Sequence, residues 1–214
     1  MEHIITKIEV QKRNKNRVNV YVNEDFLFAC SAEIIYNYGL KSGEKIDIDK
    51  IKTIIEEDNY IKCKNDALHS IERAYKTEKQ VVQKLLAKGY EKSTIEKAIL
   101  FLREYNFLDD SKFADMYVKE KLVSQGRNKI KYSLMQKGLD ESLIKEKLQN
   151  IDKEKEGDSL ERIGMLKYQQ LIKREEDARK IYKKLGDYLM RRGYPWDEVK
   201  SFLNRTLKEA SQLD

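Results

Sequence analysis

The sequence predicts a mainly α-helical protein built of tandem three-helix repeats in an elongated curved array, preceded by a small β-rich segment. Two observations carry that expectation. A six-residue signal recurs at residues 85–90 (LLAKGY), 134–139 (LMQKGL) and 189–194 (LMRRGY), and the apolar period changes from two to a helical one after residue 60.

In the first 60 residues, Ile4, Ile8 and Val10, then Val18, Val20 and Val22, then Phe26 and Phe28 alternate with polar residues. That is the pattern of short strands, and the polar runs 11–16 and 23–25 read as the turns of a meander or hairpin. Residues 34–38 read as a short helix closed by Gly39 and residues 51–57 as another, with a boundary expected between 58 and 64.

Each recurring signal is a helix stop. Gly89, Gly138 and Gly193 supply a left-handed residue, and Lys88, Lys137 and Arg192 place a cation beside the negative helix end. The apolar residue after each glycine is spaced to pack back on the helix, as Tyr90 on Leu85, Leu139 on Leu134 and Tyr194 on Leu189. Eight residues before the glycines stand Val81, Ile130 and Leu185; six after stand Ile95, Ile144 and Val199; ten after stand Ile99, Leu148 and Leu203. Those intervals put one apolar face on a helix before the turn and another after it.

A leading helix is expected in every repeat. Residues 66–75 carry Leu68, Ile71 and Tyr75; residues 111–123 carry Phe113, Met116, Tyr117, Val118 and Leu122; residues 159–172 carry Leu160, Ile163, Leu166 and Ile172. Asp110 or Ser111 and Asp158 or Ser159 are the expected N-caps, and the pair Asp109 and Asp110 reads as capping rather than as metal ligands. The glycines are 49 and 55 residues apart, which leaves the extra length in the third repeat. The expected division is therefore 1–60, 61–108, 109–152 and 153–214.

With 37% charged residues, 40% hydrophobic residues and one proline, the chain suits helical modules better than one thick globule. No stretch is long and apolar enough to cross a bilayer, and no signal peptide is evident, so a cytoplasmic protein is expected; a monomer is expected as well. Cys30 and Cys63 are isolated, His3 and His69 have no ligand spacing, and no nucleotide-binding, hydrolase or zinc-protease motif occurs. Neither metal, cofactor nor enzymatic activity is expected.

Residues 1–60 carry 9 bases and 11 acids, net −2, whereas residues 61–214 carry 34 and 26, net +8. The positive repeats suit an anionic partner, phosphate or acidic protein, against the blander alternative of a solvated, mixed-charge surface. Arg127, Lys129 and Lys131 open the second repeat's middle helix, where positive charge opposes the helix dipole and hints at an external anion. Lys180, Lys183, Lys184, Arg191 and Arg192 run through the third repeat among Tyr182, Tyr188 and Tyr194. Tyr194 reads as the cap contact; for Tyr182 and Tyr188, stacking on a base and packing in the core both remain open.

The capped repeats, the linker 106–114 (NFLDDSKFA), the run 126–130 (GRNKI), the final 191–194 (RRGY) before an amphipathic helix, and the opening 5–28 resemble the bacterial RecX proteins over nearly the whole chain. That resemblance implies a non-enzymatic regulator of the recombinase RecA in DNA repair, recombination and the SOS response. Its helical repeats would lie along the groove of the RecA–DNA filament and inhibit strand exchange and ATP turnover, or stop filament growth. The β-rich opening and the longer third repeat, around 152–176, depart from compact members. The candidate partner- or DNA-binding residues are Lys84, Lys88, Arg127, Lys129, Lys131, Lys137, Lys183, Lys184, Arg191 and Arg192. The competing reading is an autonomous DNA-binding protein whose basic repeats track phosphates.

Overall fold

The computed structural model describes residues 2–210, which fall into two compact units: residues 2–74 with 81–108, and residues 75–80 with 109–210. The first unit opens with an antiparallel meander, β1 (Ile5–Gln11), β2 (Asn14–Val22) and β3 (Asp25–Ser31), in that spatial order. Asn23 and Glu24 both have positive φ, 51° and 72°, the two-residue turn whose twist matches a tight hairpin. Register pairs Val20 with Ile8 on one side and Phe28 on the other. The alternation therefore buries Ile5, Val18, Val20, Val22, Phe28 and Cys30 on one face, where Ile34, Ile51 and Ile54 close over them. Val10 and Phe26, which the alternation also marked, lie 55% and 58% exposed on the solvent side.

Helix α1 (Ala32–Asn37) is capped by the Ser31 hydroxyl and closed by Gly39 at φ 60°, as expected. No break in the helix marks the boundary expected between residues 58 and 64: α2 (Ile48–Glu72) runs unbroken through it and absorbs both the 51–57 helix and most of the 66–75 helix. No glycine or proline interrupts it. Its first half packs on the sheet through Ile51 and Ile54, and its second half places Cys63 and Ala67 against α3 (Glu78–Ala87) and α4 (Lys92–Glu104). The segment where the boundary was expected contains a buried ion pair. Asp58 accepts two bonds from the Arg17 guanidinium at 3.1 Å and one from the Ser31 N–H at 2.9 Å, and pairs with Lys62 at 2.6 Å. Burial opposes the Asp58 charge, but the hydrogen bonds from Arg17 and Lys62 outweigh it and hold the carboxyl below its ordinary range.

The second unit holds α5 (Asp110–Leu122), α6 (Arg127–Gln136), α7 (Glu141–Gln149), α8 (Lys153–Leu171), α9 (Ala178–Arg191) and α10 (Trp196–Ala210). Of the pair read as capping α5, Asp109 is the N-cap, while Asp110 and Ser111 lie inside the helix; α8 starts at an Asp152 cap, well before the expected Asp158 or Ser159. Ser159 is instead buried, its hydroxyl 2.9 Å from the Val123 carbonyl and 2.8 Å from the Tyr194 hydroxyl.

The three recurring signals fold alike. Gly89, Gly138 and Gly193 have φ of 86°, 85° and 89°, and each glycine N–H bonds the carbonyl three residues back at 2.9 Å. The next N–H reaches five residues back, Tyr90 to Leu85, Leu139 to Leu134 and Tyr194 to Leu189, which is the Schellman geometry. The phased positions Val81, Ile130, Leu185, Ile95, Ile144, Val199, Ile99 and Leu203 are buried.

Alanine at Gly89, whose added Cβ meets open space, should cost about 1 kcal/mol for the left-handed backbone. Alanine at Gly193, where the Cβ collides with the Lys129 backbone, should cost clearly more, as read from denaturant unfolding. Because the folded-state Asp58 titrates below an unfolded aspartate, its stabilisation is present above about pH 3.9 and is lost as pH falls through the folded-state value. Asp58→Asn should therefore be less stable than the parent at neutral pH, with the difference shrinking on acidification in pH-dependent urea melts.

Candidate functional site

The candidate cations are positioned by the way one repeat's middle helix starts on the next repeat's glycine turn. Within the second unit, the Gly126 N–H bonds the Arg192 carbonyl and the Asn128 N–H bonds the Gly193 carbonyl, both at 3.0 Å. Gly126 is required there because a Cβ would run into the Gly193 carbonyl. Gly126 has no capping side chain, so Glu156 of α8 caps α6 from outside, accepting the Arg127 N–H at 2.7 Å. The same carboxylate takes the Arg127 Nε at 2.8 Å, while Glu198 of α10 takes Nη2 at 2.6 Å.

The start of α3, also part of the second unit, repeats the device. The Thr77 hydroxyl donates to the Lys137 carbonyl at 2.6 Å, and the Glu78 N–H donates to Asp110 at 3.0 Å. Thr77 and Gly126 each stand twelve residues before their own repeat's glycine, so the two docks occupy the same register. Asp110, expected to cap its own helix, serves this neighbouring one.

The anion that Arg127 faces is thus internal. Glu156 is 0% exposed and the Arg127 side chain only 28%, so the unfavourable charge at the α6 start is answered within the fold rather than by an external partner. The Glu156 hydrogen bond, against the opposing effect of burial, raises the already high pKa of the guanidinium. Burial raises the Glu198 carboxyl above its ordinary range, with Arg127 pulling the other way.

The remaining candidates divide by what they touch. Lys88 pairs with Asp66 at 2.6 Å in the first unit, and Lys184 with Glu175 at 2.7 Å. Lys137 lies over the rings of Tyr117 and Phe113, at 5.3 Å and 5.8 Å. Lys131 reaches Glu141 only at 4.0 Å. Lys84, Lys129, Lys183 and Arg191 are exposed and have no carboxylate partner among the described residues. Arg192 is half-buried, donates to the Ser124 carbonyl at 3.2 Å and lies 5.0 Å from the Tyr188 ring.

Tyr194 is fully buried at the cap contact, and Tyr182 and Tyr188 pack against the core of the third repeat. Sequence reasoning missed Glu156 and Glu198, which looked like solvated acids in charged runs, and Arg162 and Lys167, which stand beside Arg192 and Tyr188. No local pattern marks any of them. No cluster of metal-ligating side chains occurs among the described residues.

Glu156→Ala leaves Arg127 without its buried partner and α6 uncapped. It should cost about 3–5 kcal/mol in unfolding free energy, and Arg127→Leu a similar amount. Lys131→Ala, on the same helix but at the surface, should stay within about 0.5 kcal/mol.

Residues 3–47 match the family model of the RecX regulatory protein N-terminal domain, and residues 63–102, 109–148 and 160–203 match those of the first, second and third RecX three-helix domains. The β-rich segment, read as a departure from compact members, thus has a family model of its own. The regulatory protein RecX of Clostridium tetani is 56% identical over 95% of this chain and 94% of its own, and that of Clostridium perfringens strain 13 is 52% identical over 94% and 95%. A crystal structure of a regulatory protein RecX superposes with a TM-score of 0.72 at 24% identity, covering 94% of this chain and 99% of that one, which shows a shared fold. The chain belongs to the RecX family of regulatory proteins.

Proposed function

We propose that the protein binds the RecA–DNA filament and mainly inhibits recombination and ATP turnover by RecA, without an active site of its own, as a cytoplasmic monomer. The observation that carries this reading is the match of nearly the whole chain to regulatory proteins of the RecX family, in the order of the four family domains.

The charge arrangement supports it. Lys129, Lys131, Lys183 and Arg191 project from the second unit with little or no neutralisation, so their field is available to an anionic filament surface. Lys84 of α3 is equally free to do so, whereas Lys88 and Lys184 would first have to leave Asp66 and Glu175. Arg127 contributes by holding the α6 start in place rather than by contact, and Lys137 and Arg192 contribute from half-buried positions.

The test is the DNA-dependent ATPase rate of the cognate recombinase against added protein, paired with binding to the same DNA alone at the same salt. Inhibition is expected well below the concentrations that occupy naked DNA. Inhibition only where the DNA is already coated would mean competition for DNA and favour the autonomous DNA-binding reading. Charge reversal at Lys129 and Lys131 together should weaken inhibition at least fivefold with unchanged helical circular dichroism.

A further inference from the structure

Two of the three glycine turns are filled from within the chain and the third is not. The Gly193 turn receives the α6 start through the Arg192 and Gly193 carbonyls, and the Gly138 turn receives the α3 start through the Lys137 carbonyl. Each occupant needs its glycine bare: a Cβ at Gly193 would strike the Lys129 backbone, and one at Gly138 would strike the Lys79 side chain. At Gly89 an added Cβ meets nothing, and no hydrogen bond reaches the Lys88 or Gly89 carbonyl among the described residues. The backbone is nevertheless the same, with φ 86° at Gly89 and the same pair of Schellman bonds.

The vacant turn is held in shape. Asp66 of α2 takes the Lys88 ammonium at 2.6 Å and the Tyr90 hydroxyl at 2.9 Å, which ties the residues on both sides of the glycine to one carboxylate. An acid also stands beside each filled turn, where Glu156 and Asp110 accept an N–H of the arriving helix. The surface at Gly89 is therefore a pair of free carbonyls next to a carboxylate that is 32% exposed, complementary to the positive end of a helix.

The one middle helix left over does not fit this turn in a second copy of the chain. Helices α3 and α6 begin eleven residues before their own glycines, but α9 begins fifteen before Gly193, and Ile181, at the register of Thr77 and Gly126, is buried. The α9 start is closed by its own Asp177, which accepts the Arg179 and Lys180 N–H groups at 2.8 Å and 3.3 Å. The occupant of the Gly89 turn is accordingly another protein.

We propose that the Gly89 turn is a docking site for the start of a helix on a protein subunit of the recombinase filament, one with a glycine or threonine as its N-cap. The proposal rests on the reading of the protein as a filament regulator, which supplies the partner. The chemistry of the occupant is that of the two helix starts already seated on Gly138 and Gly193. Contact runs through backbone groups at close approach, so it is separate from the field of the surface lysines and weakly sensitive to salt.

The test titrates the full-length parent, Gly89→Asn, Gly89→Ala and a control, Gly39→Asn, into filaments of the cognate recombinase, reading ATPase inhibition beside binding to the same DNA alone. Asparagine tolerates the left-handed region, so Gly89→Asn keeps the turn while its side chain fills the receptor. Gly39, at φ 60° and equally open around its Cα, closes α1 in the β-rich segment. Half-inhibition should need at least about tenfold more Gly89→Asn and about threefold more Gly89→Ala than parent, but less than about twofold more Gly39→Asn, with naked-DNA binding unchanged throughout. Circular dichroism checks folding, and Gly89→Ala, the smaller change, decides the matter if the asparagine variant is unfolded. Parent-like inhibition by the folded Gly89 variants would overturn the proposal and leave the filament reading standing. A parent that does not inhibit would defeat the filament reading and the proposal together. Equal losses in Gly39→Asn, or parallel losses on naked DNA, would overturn the proposal as well. So would self-association of the parent that Gly89→Asn abolishes, which would assign the turn to a second copy.

Discussion

Docking a helix start against a glycine turn is the constraint on which the second unit depends. A helix start presents free N–H groups and a glycine turn presents free carbonyls, and two N–H groups at the start of α6 meet the carbonyls of Arg192 and Gly193 directly. Close backbone approach is possible only because Gly126 and Gly193 carry no side chain at the contact. The next repeat's leading helix then supplies a carboxylate, Glu156 for α6 and Asp110 for α3, to satisfy another N–H. The glycine turn therefore has two tasks: it ends its own helix and it receives its neighbour.

That arrangement decides which charges are left for the outside. Arg127 is consumed by Glu156 and Glu198 inside the fold, and Lys147, Lys155 and Lys184 each have an acid within 2.8 Å. Lys129, Lys183 and Arg191 on open helix surface, and Arg162 and Lys167 around a cleft, are among the cations that have no carboxylate partner among the described residues. The long-range positive field of the repeats therefore comes from surface cations rather than from Arg127.

The parts of the fold legible in the sequence are those set by neighbours a few residues apart. The Schellman caps are fixed by a glycine and an apolar residue within six positions, and the core faces by helical spacing, so the repeat structure and its buried positions could be read directly. The β-meander was legible for the same reason, from alternation and two polar turns. What could not be read depends on distant partners. Asp58 fell at the expected boundary because Arg17, which permits its burial, is 41 residues away. Arg127 looked as if it awaited an external anion because its carboxylates stand 29 and 71 residues further on. The true start of α8 was hidden by a charged run whose Glu156 reads as solvated until α6 is placed against it.

Native-state hydrogen exchange at the Gly126, Arg127 and Asn128 amides tests the repeat junction most directly. All three belong to a helix start, where exchange is ordinarily fast because no intrahelical bond protects the amide. Here they should exchange only through an opening as infrequent as that of the buried α9 amides at Leu185 and Leu189, and Glu156→Gln should accelerate Arg127 in particular. Exchange at all three near the rate of an unprotected peptide, with α9 still protected, would mean that the α6 start is not held on the glycine turn and that the repeats of this unit are joined in some other way.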